Sequence, residues 1–130
     1  MPEITGTEHV KRAMGEWHAS NLVAVSELHL KPNMASGGTD LVLVAHFQKR
    51  TSDGWPNFHG KMHAFRLKFG LVGDLNIKGF GGGTNQIMGF DIIDASDRGL
   101  ERINFFVEDY EDGKLGFSCQ TIEVEPMEEA

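Results

Sequence analysis

Long apolar runs, paired cysteines and a surplus of positive charge are all missing from this 130-residue chain. No hydrophobic stretch approaches the roughly 20 residues that a membrane-spanning helix needs, which argues against a place in the bilayer. The single cysteine, Cys119, has no partner for an intrachain disulfide. The opening residues, MPEITGTEHVKRAM, lack the basic start and apolar middle of a signal peptide. Together these features predict a reducing, cytoplasmic setting. Lysine and arginine number 12 against 19 aspartates and glutamates, a net charge of −7. Nucleic-acid phosphates need a basic surface, so this balance disfavours nucleic acid as a partner.

What is present fits a soluble globular protein, 40% hydrophobic and 24% charged. The length predicts a single domain over residues 1–130 with one core. The acids are unevenly placed. Residues 101–130 hold nine of them against Arg102 and Lys114, which leaves ten acids and ten bases in the first hundred residues. Such an acidic quarter is a solvated rim or a surface for a basic protein partner.

Periodicity predicts a mainly β fold. The first 20 residues are the helical segment, with Thr7 as a cap before Val10, Met14 and Trp17 and an end near Gly15. From there the period is two. Leu22, Ala24, Ser26, Leu28 and Leu30 read as the inward set of a first strand, and Leu41, Leu43, Ala45 and Phe47 as that of a second. His63, Phe65, Leu67 and Phe69 line a third strand, whose other face carries Arg66 and Lys68 and is basic. Leu75 and Ile77, then Met88, Phe90 and Ile92, then Ile103, Phe105 and Val107 mark three shorter strands. In the last strand Leu115, Phe117 and Cys119 are odd but Ile122 and Val124 are even, which predicts a bulge near Gln120 or Thr121. Pro126 ends pairing and opens an acidic tail over residues 125–130. About seven antiparallel strands with one short N-terminal helix describe a sandwich or a partly open barrel. An unpaired edge in either leaves room for a homodimer.

The glycine cluster in GFGGGTNQIMGF, residues 79–90, invites comparison with a phosphate loop, but such a loop needs a helix directly after the glycines. Here a strand-like run follows, so the cluster reads as a hairpin turn. His59 and His63 have a helical metal-pair spacing, yet four residues of strand span roughly 13 Å, too far for one ion. His29 and His46 lie on outer faces of consecutive strands, and a shared site depends on their register. Ser118 lacks the Gly-x-Ser-x-Gly spacing of a nucleophile elbow, and Cys119 alternates with core residues. Asp91 with Asp94, or Asp109 with Glu111, are carboxylate pairs in turns and strand ends, where such residues serve the backbone. No cofactor or metal is implied. Trp17, Trp55 and Phe58 either cover an open end of the core or anchor a partner.

The order DLNIKGF (74–80), NQIMGFDI (85–92) and GKLGFSCQTIEV (113–124) resembles the C-terminal half of the Imm50-type immunity proteins of bacterial polymorphic toxin systems. Gly79, Phe80, Asn85, Gln86 and Gly89 carry most of that likeness. EWHASNLVAVSELHL (16–30) is similar to the segment where an aromatic and a His-Asp pair precede the first long strand. Trp17 and His18 match it, whereas Ala19 stands where the Asp is expected. The resemblance implies a non-enzymatic cytoplasmic protein that binds and neutralises a cognate protein toxin. Glu108, Asp109, Glu111 and Asp112 are then the expected contacts for a basic toxin face, with Trp55 and Phe58 as apolar anchors. The alternative is a small-molecule-binding barrel or enzyme with a pocket near Trp55, His59 and His63.

Overall fold

Two sheets face each other across one core in the computed structural model, which describes residues 4–35, 37–49, 61–77, 85–86, 90–99, 103–109 and 115–127. The chain runs β1 (Ile4–Thr5), α1 (Thr7–Met14), a 3-10 turn (Ala19–Asn21), β2 (Leu22–Asn33), β3 (Gly38–Phe47), β4 (His63–Gly70) and β5 (Gly73–Ile77). It continues as β6 (Asn85–Gln86), β7 (Phe90–Asp94), a 3-10 turn (Ser96–Arg98), β8 (Phe105–Asp109), β9 (Leu115–Cys119) and β10 (Thr121–Pro126). One sheet has the order β1-β10-β4-β3-β2-β6, the other β5-β9-β8-β7. The mainly β class with one short N-terminal helix is as the periodicity predicts. Among the described residues there are ten strands rather than about seven, because β1 and β6 are two-residue pairings that leave no periodic trace and because the last strand divides.

That division is the main departure. Leu115, Phe117 and Cys119 point into the core from the four-stranded sheet, and Ile122 and Val124 from the six-stranded one. The change of parity at Gln120 is therefore a strand switching sheets, not a bulge within one. The chain makes the same move between Gly70 and Gly73, where β4 becomes β5. Thr121 pairs with Gly70 and Ser118 with Gly73, so a single antiparallel ribbon bends through both sheets. The Gln120 N–H donates to the Gly70 carbonyl at 2.8 Å, and Leu71 takes a left-handed φ of 52° to make the corner. Switching strands of this kind close a sandwich along one side.

Aromatic side chains fill the joint. Phe69 of one sheet meets Phe117 of the other edge-on at 4.8 Å, and Phe47 lies between Trp17 at 5.9 Å and Phe65 at 6.2 Å. Each fully buried side chain of this size contributes about 1.5–3 kcal/mol of hydrophobic stabilisation. Helix α1 closes against β10 and β4 through Val10 and Met14. Its cap differs from the expectation: Gly6 is the N-cap at φ 82°, with no side-chain capping bond, and Thr7 is the first helical residue. A Cβ at Gly6 would overlap the Val124 carbonyl, so close passage along β10 decides the residue there. Gly15 ends the helix as expected, in a left-handed turn whose N–H donates to Lys11 at 2.8 Å.

Strand β2 also departs from simple alternation. Its register against β3 pairs Leu22 with Phe47, Val25 with Ala45 and Leu28 with Leu43, with irregularities after Leu22 and after Val25. Two extra residues move Val25 onto the core face that Ala24 and Ser26 were expected to share. Leu30 lies opposite Leu41 but is 50% exposed, and among the described residues β6 pairs with β2 at Ala24 and Val25. The glycine cluster, read from the sequence as a hairpin turn, lies outside the described residues; on either side of it β5 pairs with β9 and β6 pairs with β2. Glu125 and Pro126, expected in the tail, complete β10 opposite Arg66 and Phe65.

Candidate functional site

Alternate residues of β10, β4, β3 and β2 point away from the core, and the registers set them in rows. One row runs Glu125, Arg66, Val44, Glu27; the next Glu123, Lys68, Val42, His29. Val42 and Val44 are only 6% and 5% exposed although they face outward. Arg66 and Lys68 on one side and Glu27 and His29 on the other enclose them. The result is a hollow of about 710 Å³ with an apolar floor and charged walls. Beside it, where the strands turn the corner, a second hollow of about 380 Å³ is lined by polar groups, among them Asn33, Asp40, Gln120 and Thr121.

The wall charges are partly paired. Arg66 Nη1 lies 3.5 Å from Glu125 Oε2, and His29 Nε2 lies 3.5 Å from Glu27 Oε1. These pairs are solvent-exposed and add little stability; they set where each sign of charge stands. Lys68 makes no ion pair among the described residues. His46 Nε2 is 2.8 Å from Ser26 Oγ, and burial lowers its pKa. At the corner Asp40 is 8% exposed and accepts from Asn33 Nδ2 at 3.0 Å.

The sequence candidates scatter over this fold. Glu108 sits on the outer face of β8, in register with Asp91 of β7, and Asp109 ends that strand. Glu111, Asp112, Trp55, Phe58, His59, Gly79, Phe80 and Gly89 lie outside the described residues. Asn85 and Gln86 form β6 on the edge of β2. The acidic quarter is thus split: Glu123 and Glu125 line the six-stranded face beside Lys68 and Arg66, and Glu108 belongs to the other sheet. Trp17 packs against the core through Phe47, and His18 is exposed. His18 finds its carboxylate in Glu16, 3.5 Å away, and Ala19 begins the 3-10 turn. Glu16 also accepts from Asn21 Nδ2 at 2.9 Å and faces Lys49 at 3.6 Å. The Asn21 hydrogen bond first, then the charges of His18 and Lys49, hold its carboxyl below the usual range.

Several chemical candidates resolve. His29 stands opposite Val42, four residues along β3 from His46, a separation of roughly 13 Å. Among the described residues no three potential ligands come together as a metal site. Asp91 and Asp94 are three apart in a strand and so face opposite ways. Asp94 binds the Ser96 N–H at 2.9 Å and hydroxyl at 2.6 Å, which lower its pKa and give it the turn-forming role read from the sequence. Ser118 is buried and donates to the Gly73 carbonyl at 3.3 Å. Burial pushes the Cys119 thiol up to about 12, so it carries no thiolate at neutral pH. His63 is half-buried opposite Phe47, and burial first and Lys61 second lower its pKa.

The residues that sequence reasoning missed are Asp40, Val42 and Val44. The alternation of β3 marks all three as outward, but their burial comes from neighbours on β2 and β4. Comparison with family models, with curated proteins and with solved structures finds no match.

Proposed function

We propose that this protein is a non-catalytic binding domain of the immunity type, which neutralises a cognate protein toxin, and that the outer face of its six-stranded sheet is the contact surface. One observation carries the choice of surface: the Val42–Val44 floor lies between charges of both signs. An apolar centre with a polar rim is the anatomy of a protein interface, and charges of both signs select a partner by complementarity more than by raw affinity. The likeness to Imm50-type proteins supports the toxin as partner class, and a cytoplasmic location belongs to the same proposal. Among the described residues no helix is long and apolar enough to cross a membrane.

The test is co-expression with the toxin-like product of the adjacent reading frame. Protection and a stable complex are expected, and Arg66→Glu, at an exposed wall position, is expected to weaken both while leaving the fold intact. A complex unchanged by Arg66→Glu would move the contact surface elsewhere. Absence of both protection and complex would end the reading for that partner.

A further inference from the structure

We infer that the corner hollow is a receptor for a primary ammonium group, with Asp40 as its anion. Asp40 sits on the outward side of β3, one residue beyond the Leu41–Phe69 pair and hence beside Gly70. As a residue Asp40 is more than nine-tenths buried. One oxygen, Oδ2, accepts from Asn33 Nδ2 at 3.0 Å, while Oδ1 has no hydrogen-bond donor among the described residues. A buried carboxylate oxygen left without a donor is costly, and Asp40 lines an open hollow.

Gly70 shapes the floor. Asp40 Oδ1 lies 3.8 Å from where a Cβ on Gly70 would stand, and Thr121 Oγ1 lies against the same point from the opposite strand. Two acceptor oxygens therefore flank one position. Two N–H···O bonds from a single tetrahedral nitrogen span about 4.7 Å between their acceptors, the scale of a site with oxygens on either side of Gly70. An ammonium, with three donors on one atom, fits such a point site. A guanidinium prefers both oxygens of a carboxylate side by side, and here Asn33 already holds Oδ2. Lys68 borders the same hollow, makes no ion pair among the described residues and acts as the competing cation.

This inference concerns the site itself and stands or falls separately from the toxin reading. The ammonium comes either from a lysine side chain of a protein partner or from a free amine. The test is amide-shift titration of the isotopically labelled full chain with n-butylammonium, n-butylguanidinium and the peptide acetyl-Gly-Lys-Gly-amide. Saturable shifts centred on Gly70 and Thr121 are expected with butylammonium, and weaker ones with the guanidinium. Asp40→Asn is expected to weaken butylammonium at least about tenfold, as loss of a charge-assisted hydrogen bond should. Lys68→Gln is expected to tighten it. Tighter binding of the peptide than of butylammonium assigns the site to a protein lysine, and equal binding assigns it to small amines. No saturable shift, or equal affinities in wild type, Asp40→Asn and Lys68→Gln, overturns the inference. Lys68→Gln keeps the test decisive should Asp40→Asn fold poorly.

Discussion

On the outside of the six-stranded sheet opposite charges stand next to each other, Arg66 against Glu125 and Lys68 in register with Glu123. On the outside of the four-stranded sheet, Asp91 of β7 faces Glu108 of β8, and like charges directly opposite on neighbouring strands destabilise a sheet. The inner faces of the two sheets are alike, apolar and shared in one cluster. The difference lies in how each outer face manages charge. The six-stranded face is compensated within itself and organised around hollows, while the four-stranded face sets two negative charges side by side next to the exposed Ile93.

The severest way to break the comparison is to remove what the sheets share. Phe69→Ala takes away the ring that meets Phe117 and is expected to cost about 3–5 kcal/mol. Urea unfolding followed by fluorescence and circular dichroism should give one transition, shifted equally in both signals. Two separated transitions would mean that the sheets are independent.

Smaller effects separate the backbone positions. Gly6→Ala combines a left-handed φ with overlap on the Val124 carbonyl, whereas Gly15→Ala has the same φ and nothing within 4 Å. The second is expected to cost about 1 kcal/mol, the strain of a side chain in that conformation. The first should cost clearly more, because β10 would have to move. Equal costs in thermal unfolding would show that the contact with β10 yields freely.

The outer faces should answer charge removal with opposite signs. Asp91→Asn relieves a like-charge pair and should stabilise by a few tenths of a kcal/mol, while Arg66→Gln removes an attractive exposed pair and should destabilise by a similar amount. Both effects are expected to shrink in high salt. The same sign for both would mean that these pairs do not govern the faces.

The smallest expected effect is on the acid limb of stability. Because the folded-state pKa of Glu16 lies below its unfolded value, its contribution is complete above the unfolded pKa and disappears as pH falls through the depressed one. Glu16→Gln should flatten that limb and leave stability unchanged in slope above neutral pH. A parallel acid limb in the variant would show that the Asn21, His18 and Lys49 contacts carry no linkage.

Legibility followed the length of the alternating runs. In β3 and β4 the alternation is unbroken, and Leu41, Leu43, Ala45, Phe47, Phe65, Leu67 and Phe69 are buried as read. In β2 two inserted residues shift the face, and alternation alone does not tell an insertion from a continued strand. The parity change after Cys119 was visible, but its meaning was not. A bulge and a change of sheet leave the same mark in one dimension, and only the pairing of Thr121 with Gly70 and Ser118 with Gly73 distinguishes them. The candidate site was half visible, in the basic side of the third expected strand. Its acidic neighbours arrive from more than fifty residues away, on β10.

By itself the chain determined what depends on near neighbours: period-two strands, a short helix that stops at Gly15, and a core drawn from residues whose burial follows from their own hydrophobicity. Tertiary structure alone decided what depends on distant segments meeting: the corner that joins the sheets, the enclosure of Val42 and Val44, and the burial of Asp40 beside Gly70. Strand pairing brings together groups with no relation in sequence, and the electrostatics of a site arise from those meetings.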